Sequence, residues 1–300
     1  MLSAAVLVLC SPAAVFDVTK YGAVGDGTTY DTAAVRKAAA AATAADGGTL
    51  LFPSPKTFLT GAFNITSHTH VEIAAGATVL GSTRGEDWPL LDARAVWPQF
   101  GHGSDCKPGT ESCRLMHQAL IFAWNAENVS MGGGGAFDCN SQKDTWWRCA
   151  SNLSLPPCNG YGRAHCMMFA NSTDVEVSHL HVSNSPDWTM HFSSCTRLHV
   201  HHNNVSNPLE PNADGIDIDA TQEALIEDNY FNVGDDALCV KSGIDFFGRQ
   251  YARPAKDIMF RRNTIGTGHG ITIGSEMSGG VVRCWSGAAI VCVRVRARVC

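Results

Sequence analysis

The sequence predicts an all-β fold, a parallel β solenoid with one helix capping its N-terminal end. Short apolar-alternating segments separated by Gly, Asn, Asp and Pro indicate strands and turns. Equivalent strand positions at Val175, Leu198, Ala224 and Ile258 recur after 23, 26 and 34 residues, as expected for coils with loops of varying length. A globular β sandwich would not keep this agreement at every corner of the repeat.

The alignment extends to the other strands and to one turn of each coil. A second strand set contains Val182, Val205, Phe231 and Ile265. A third set contains the pairs Met190/Phe192, Ile216/Ile218, Leu238/Val240 and Ile271/Ile273. At one turn Asn203, Asn229 and Asn263 align, so their amides are expected to bond from coil to coil.

Composition agrees with this fold class. Charged residues are 17% of the 300, below the usual quarter, and 29 glycines favour a β-rich extracellular protein. The net charge of −6 excludes a general nucleic-acid binder, because no overall basic surface is present to neutralise phosphates. We expect one elongated domain over residues 15–281, present as a monomer, followed by a tail over residues 282–300 that does not continue the repeat.

The N-terminal region carries two signals. Residues 1–14 form an apolar run of signal-peptide length that is too short to span a bilayer and lacks a basic start. Asp31 is placed to N-cap an Ala-rich helix over residues 32–45, which Gly47 and Gly48 end. Such a helix would cover the unpaired strand edges at the open end of the solenoid.

Sequons and cysteines indicate secretion. Five sequons are present, at Asn64, Asn128, Asn152, Asn171 and Asn204, and no later run of 18 apolar residues predicts a membrane span. The sequence has twelve cysteines, and the eight in the body of the chain, an even number without a CxxC pair, favour disulfides over zinc, with their pairing left open. They are Cys106, Cys113, Cys139, Cys149, Cys158, Cys166, Cys195 and Cys239. Six of them fall in residues 88–117 and 138–166, predicted to be disulfide-tied loops along one side of the solenoid.

Ionisable residues gather at one corner of the repeat. In the alignment Asp214, Asp236 and His269 stack, with Asp235 beside them. Neighbouring coils lie about 4.8 Å apart, so this ladder would be roughly 10 Å long. Each Asp alone could serve a turn, which would leave the aligned set unexplained. Trp188 takes the same position one coil earlier, as an exposed aromatic platform or a packed residue at the edge of the core.

Local charge around this corner is uneven. Residues 212–240 contain eight acidic residues and no Lys or Arg, whereas residues 241–262 contain six basic residues against two acidic ones. An acidic site beside a basic flank suits a polyanionic substrate, and a solvated loop is the alternative.

A second group, of histidines, contains His179, His181, His199, His201 and His202. The coil alignment sets His181 against Asn204 and His199 against Glu176. We therefore interpret these histidines as a solvated outer face and predict no metal site.

Several motifs, in this order, resemble the polygalacturonase family, glycoside hydrolase family 28. They are Lys20-Tyr21-Gly22-Ala23, Gly25-Asp26-Gly27-Thr28, Asn212-Ala213-Asp214-Gly215-Ile216-Asp217, Gly234-Asp235-Asp236, Lys241-Ser242-Gly243, Gly268-His269-Gly270 and Gly274-Ser275-Glu276. The resemblance implies a right-handed parallel β-helix and inverting, cofactor-free hydrolysis of α-1,4 galacturonosyl bonds in pectin, in the cell wall. The later motifs are most similar to plant-type, exo-acting members.

Inverting hydrolysis needs a carboxylic acid for the leaving oxygen and a carboxylate for the attacking water, roughly 6.5–9.5 Å apart. Crowded carboxylates raise a pKa, which supplies the protonated acid. By motif position the resemblance implies that Asp235 is the acid, that Asp214 and Asp236 hold the water, and that His269 orients Asp235. It assigns substrate contacts to Asn212, Gly270, Lys241 and Trp188.

The sequence departs from the family pattern in two places. Ala213 replaces the usual Thr, and the Arg-x-Lys motif expected about a coil after His269 is missing, since Arg294-Val295-Arg296 comes too early. We therefore expect a C-terminally incomplete member whose grip on the substrate carboxylate is impaired. The alternatives are a polysaccharide lyase on the same architecture and an inactive pectin-binding protein.

Overall fold

Seven coils of the chain each contribute one parallel strand to each of three sheets, called A, B and C in the order in which the chain meets them, and the first and last described coils contribute to sheets A and B. The computed structural model describes residues 14–103, 114–208, 210–286 and 291–292, with side chains described through residue 280. Apart from Ala14, the predicted signal peptide lies outside the described residues. Within them, no helix is both long enough and apolar enough to cross a membrane.

Sheets A and B have nine strands each, and sheet C has seven. Sheet A contains β1 (Val15–Asp17), β3 (Gly48–Phe52), β6 (Thr69–Ile73), β11 (Glu127–Gly132), β14 (Thr173–Ser178), β17 (Thr196–His201), β20 (Gln222–Glu227), β23 (Ala255–Arg261) and β26 (Val281–Ser286). Sheet B contains β2 (Asp26–Tyr30), β4 (Thr57–Thr60), β7 (Thr78–Gly81), β12 (Ala136–Asp138), β15 (His181–Ser183), β18 (Asn204–Asn207), β21 (Tyr230–Val233), β24 (Thr264–Thr267) and β27 (Val291–Cys292). Sheet C contains β5 (Phe63–Ile65), β10 (Ile121–Trp124), β13 (Met167–Ala170), β16 (Met190–Ser193), β19 (Ile216–Asp219), β22 (Leu238–Lys241) and β25 (Ile271–Ile273).

The remaining elements lie outside the coils. A short antiparallel pair, β8 (Leu90–Asp92) with β9 (Leu115–His117), belongs to the first long loop. The helices are α1 (Thr32–Ala44), α2 (Ala93–Val96) and α3 (Asp245–Tyr251), with 3-10 turns at Val18–Tyr21, Gly85–Asp87 and Trp146–Ala150.

The predicted register between coils is confirmed in all three sheets. In sheet A, Val175 pairs with Leu198, Leu198 with Ala224, and Ala224 with Ile258. The predicted sets of sheets B and C pair in the same way. Because side chains alternate along a strand, these aligned apolar side chains point inward and fill the solenoid with stacked, buried residues. The exceptions are in β25, where Ile271 is partly buried and Ile273 is 48% exposed.

An asparagine ladder fixes the turn between sheets A and B. The Asn203 side-chain amide donates to Asn229 Oδ1 at 3.0 Å, and the Asn229 amide donates to Asn263 Oδ1 at 3.0 Å. Each amide also donates to a backbone carbonyl of the preceding coil, Val177 and Val200 respectively. The three buried side chains thus satisfy one another, as predicted, and hold successive coils in register.

The capping helix forms where it was predicted, but Asp31 does not cap it with its side chain. The helix α1 starts at Thr32, and the Asp31 carboxylate accepts hydrogen bonds from the backbone N–H groups of Val24 and Gly25 at 2.7 and 3.0 Å. The residue holds the glycine-rich turn before β2 against the helix. At the other end Gly47 takes a φ of 113° and donates to Ala42, which ends the helix as expected.

The strand repeat extends further than the sequence predicted. We expected it to end at residue 281, but β26 pairs in parallel with β23, from Ala255 against Val281 to Phe260 against Ser286. Residues 291 and 292 pair with β24. Without β26, the backbone groups of β23 on this side of sheet A would lack strand partners. Arg294-Val295-Arg296 lies outside the described residues.

Not every described cysteine forms a disulfide, although the even number of cysteines in the body of the chain suggested it. Disulfides join Cys139 to Cys166 and Cys149 to Cys158, so the second long loop is tied as predicted. Cys195 and Cys239 are buried and unpaired, which corrects the expectation that they form disulfides. Their thiols instead contact backbone carbonyls, of Phe169 at 3.2 Å and Gly274 at 3.0 Å. Cys106 and Cys113 lie outside the described residues.

Candidate active site

The corner between sheets B and C brings together the three acidic segments of the sequence. Gly215 N–H donates to the Asp236 carbonyl at 2.8 Å, and Ala237 N–H donates to the Gly270 carbonyl at 3.0 Å. The segments are therefore stacked in neighbouring coils, as predicted. Gly234 has a packing reason to be glycine, because an added Cβ would lie 2.3 Å from the Glu210 carbonyl oxygen.

Asp235 is held by three neighbours at the mouth of this corner. One carboxylate oxygen accepts from the backbone N–H of Asp236 at 3.0 Å and lies 3.0 Å from His269 Nδ1. The other oxygen accepts from the backbone N–H of Asn212 at 3.0 Å. His269 Nδ1 also lies 3.4 Å from an Asp236 carboxylate oxygen, so one imidazole bridges both acids. The Asp235 side chain remains 25% exposed and is open to a bound molecule.

Beneath Asp235 lies a buried charge cluster centred on Lys241. Its ammonium is 3.0 Å from Glu276 Oε2, 3.5 Å from Asp217 Oδ1 and 3.6 Å from Asp214 Oδ2. It also lies over the Trp188 ring, 4.4 Å from the centroid, in cation–π contact. The Lys241 side chain is only 5% exposed, so its charge is committed to these partners. Its predicted contact with substrate stays a prediction.

Burial shifts the protonation of this cluster. It raises the pKa of Asp214 to about 8, with Asp235 and Asp236 adding to the effect and Lys241 opposing it. Burial and the Asp214 charge raise the pKa of Asp217 well above its ordinary value. Although burial opposes it, attraction by Asp217 and its neighbours raises the pKa of Lys241. At neutral pH the cluster therefore keeps the Lys241 cation and retains a proton on the Asp214/Asp217 pair. The pKa rise that crowding was expected to produce falls on these two acids.

Asp217 is the member of this pair that favours the proton. Its side chain is 0% exposed, and neither oxygen has a hydrogen-bond donor among the described residues. An ionised carboxylate in such a place is costly unless it is neutralised.

We predict that this proton makes stability depend on pH above neutrality. The folded Asp214/Asp217 pair binds a proton up to about pH 8 that the unfolded chain releases near 3.8, so stability should fall as pH rises through this window. Burial lowers the pKa of His165 and His191, and these imidazoles add an opposite slope only below about 6.5. Urea unfolding between pH 6.5 and 8 should show the fall in the wild type and a flatter profile in Asp217→Asn. Equal slopes in the two proteins would contradict the assignment.

A cavity of about 210 Å³ opens above the cluster. The Asp214, Asp235 and Asp236 carboxylates face it together with Trp188 and Asn212. Gly274, Ser275 and Glu276 of the last motif also line it, as do Phe100 and Asp187, which the sequence analysis did not single out. His269 reaches the site through Asp235. Gly270 is not among the described lining residues, and its carbonyl accepts from both Ala237 and Leu238 within the ladder.

The disulfide-tied loop supports the Asn212 turn from behind. The buried Arg163 guanidinium donates to Asn212 Oδ1 at 2.9 Å and to the Pro211 carbonyl at 3.1 Å. It also pairs with Asp187 at 3.4 Å. In the sequence, Arg163 lies three residues before Cys166, and this proximity to a disulfide-forming cysteine was the only indication that it supports the site.

The predicted basic flank does not face the cavity, apart from Lys241. Arg261 and Arg262 pair with Glu227 at the far end of sheet A, and Arg253 donates to backbone carbonyls of Ala220 and Cys195. These arginines therefore serve backbone contacts and ion pairs outside the cavity, in a segment that contains α3 and β23 rather than a solvated loop.

Comparison with known proteins identifies relatives of this arrangement. The family model described as glycosyl hydrolases family 28 matches residues 104–283. A probable polygalacturonase from Vitis vinifera is 32% identical over 267 residues, covering 87% of this chain and 51% of that protein. The chain spans about half the length of the curated relatives it matches.

Two solved structures share the fold. An exopolygalacturonase from Thermotoga maritima has a TM-score of 0.75 at 26% identity, covering 90% of this chain and 65% of that one. A family 28 exopolygalacturonase from Yersinia enterocolitica has a TM-score of 0.74 at 19% identity, covering 92% of this chain and 56% of that one. These likenesses confirm the predicted right-handed parallel β-helix.

Proposed function

The chain belongs to glycosyl hydrolases family 28, and from this premise we propose that it hydrolyses α-1,4 galacturonosyl bonds in pectic polysaccharide with inversion. The observation that carries the proposal is the convergence of Asp214, Asp235 and Asp236 on one cavity, with His269 hydrogen-bonded to Asp235. Two carboxyl groups on opposite sides of a scissile bond are the machinery that inverting hydrolysis needs.

Asp235 acts as the general acid. Its carboxyl is the most exposed of the three and lies at the mouth, where a leaving oxygen can reach it. As the glycosidic C–O bond breaks, its proton passes to that oxygen, and the imidazole of His269 stabilises the carboxylate that remains.

Asp214 and Asp236 hold the water that attacks the anomeric carbon and accept its proton. For this role Asp214 must be ionised although it is buried. Asp217 takes the proton that the pair retains, and Lys241 lies against the Asp214 carboxylate. Of these two adjacent buried acids, Asp217 is thus neutral and Asp214 is ionised.

The substrate class and the compartment belong to the same proposal. Asn212 borders the cavity with an amide that suits the hydroxyls of a sugar. Trp188 is only 6% exposed, stacks on His165 and lies under the Lys241 ammonium, so it lines the cavity as a packed residue at the edge of the core. Two disulfides in one loop suit an oxidising, extracellular compartment, where pectin occurs. Exo action is the favoured mode, because the solved relative at 26% identity is an exopolygalacturonase.

The test is to incubate the full chain with polygalacturonate and follow three products. We expect new reducing ends, β-configured at first by proton NMR, with no ultraviolet-absorbing unsaturated product and no effect of a chelator. Release of single galacturonate units would support exo action. An unsaturated product lost with chelator would instead identify a lyase. Binding to pectin without any product from acidic to neutral pH would identify a binding protein.

A further inference from the structure

A second convergence of ionisable side chains lies at the corner between sheets A and B, away from the catalytic cavity. His179 and His202 occupy the same turn position in successive coils, each with a φ of 55°. Their rings are stacked, with centroids 4.9 Å apart and planes 4° from parallel. His201 ends β17 beside them, with its Nδ1 2.8 Å from His202 Nδ1. One ring nitrogen from each of the three lies within 4.8 Å of the others.

The fold does not require imidazoles here. In the next two coils the same turn position holds Asp228 and Arg262, with φ of 56° and 54°, and these two side chains pair with each other. Any residue that tolerates a positive φ therefore fits the backbone. The histidines need another explanation than the turn itself.

The orientation of His201 suits a metal ligand. Its Nε2 lies 3.3 Å from Glu176 Oε1, so the carboxylate fixes this nitrogen as the donor and leaves the lone pair of Nδ1 facing the other two rings. A carboxylate on the outer nitrogen is the usual support for a metal-bound imidazole.

We propose that His179, His201 and His202 form a three-imidazole site for a divalent transition-metal ion of the zinc type, with the remaining coordination position open to water. Imidazole nitrogens suit zinc, copper and nickel and bind zinc at about 2.0–2.1 Å. His179 and His202 are exposed and can rotate to close the remaining distance. Because the ligands come from two successive coils, the ion links those coils and stabilises the fold, with no part in hydrolysis.

The experiment titrates Zn²⁺ into the full chain at pH 7.5 by calorimetry, with thermal unfolding measured alongside. We expect one ion per chain and a rise in Tm of about 4 °C at free zinc near 100 times Kd. His202→Asn keeps a residue that tolerates a positive φ and should weaken binding at least tenfold and remove the rise. His181→Asn, on the neighbouring strand, is the matched control and should bind as the wild type does.

A third variant separates this site from the catalytic corner, where Asp235, Asp236 and His269 also lie close together. Zinc binding that persists in His202→Asn but is lost in His269→Gln would assign the ion to the cavity and overturn the proposal. The absence of 1:1 binding at 100 µM zinc would overturn it as well.

Discussion

Asp235→Asn is expected to lower kcat on polygalacturonate by about 10²–10⁴-fold, because an amide cannot protonate the leaving oxygen. KM should change little, since the amide keeps the shape of the side chain and can still accept the hydrogen bond from Asn212. Initial rates of reducing-end release, with circular dichroism to confirm folding, measure the effect.

Two comparisons make this test specific. Glu127→Gln, an exposed acid in sheet A far from the cavity, should retain full activity. An aryl galacturonide with a good leaving group needs little protonation, so Asp235→Asn should retain most of its rate on that compound. Undiminished activity on polygalacturonate would remove Asp235 from the role of acid, and equal losses on both substrates would point to a positioning role instead.

Lys241→Met is expected to lower the free energy of unfolding by about 3–5 kcal/mol at pH 7.5. The change leaves Asp214, Asp217 and Glu276 buried near one another without their shared cation. The deficit should shrink as pH falls, because protonation neutralises the buried acids. Urea unfolding at several pH values gives the free energies.

Matched variants test the electrostatic cause. Lys256→Met removes a lysine that is 44% exposed and paired with Asp257, and should cost at most about 1 kcal/mol. Adding Asp214→Asn to Lys241→Met should recover part of the loss, because the ionised member of the buried pair then no longer lacks a partner. If Lys241→Met costs no more than Lys256→Met, the buried cluster does not carry the proposed charge balance.

The register between coils was predictable because two features of the sequence determine it. Alternation along a strand decides which residues point inward, and turn residues mark each corner, so Val175, Leu198 and Ala224 could be aligned from the sequence. The same alignment placed Asp214, Asp236 and His269 in neighbouring coils. Their convergence on one cavity followed from parallel pairing rather than from any contact visible in the sequence.

The sequence did not predict which residues cover the outer face of sheet C. In β19, Asp217 and Asp219 alternate with inward-pointing isoleucines and would ordinarily be solvated. The first long loop folds over Asp219, and Trp97 and Gln99 donate to its carboxylate at 2.6 and 3.0 Å. Gly243 N–H donates to the other oxygen of Asp219, and Lys241 lies against Asp217. Loop placement depends on packing that no strand period encodes.

The ring contacts at the histidine corner were not predicted, for a related reason. Comparing residues on one strand face set His181 against Asn204 and His199 against Glu176, and both pairings are present. That comparison omitted the turn, where His179 and His202 stack and His201 reaches them from the strand end.

The asparagine ladder has a consequence for how this molecule tolerates change. Its rungs lie 26 and 34 residues apart in the chain, yet each makes the same bond to the next. The additional residues of the longer coil lie at the corner between sheets C and A, where α3 occurs. Chain length can therefore vary at that corner, whereas the catalytic side chains lie at a different corner, between sheets B and C, where backbone hydrogen bonds join successive coils. Loops transplanted there from relatives should alter what surrounds the cavity without moving the acids inside it.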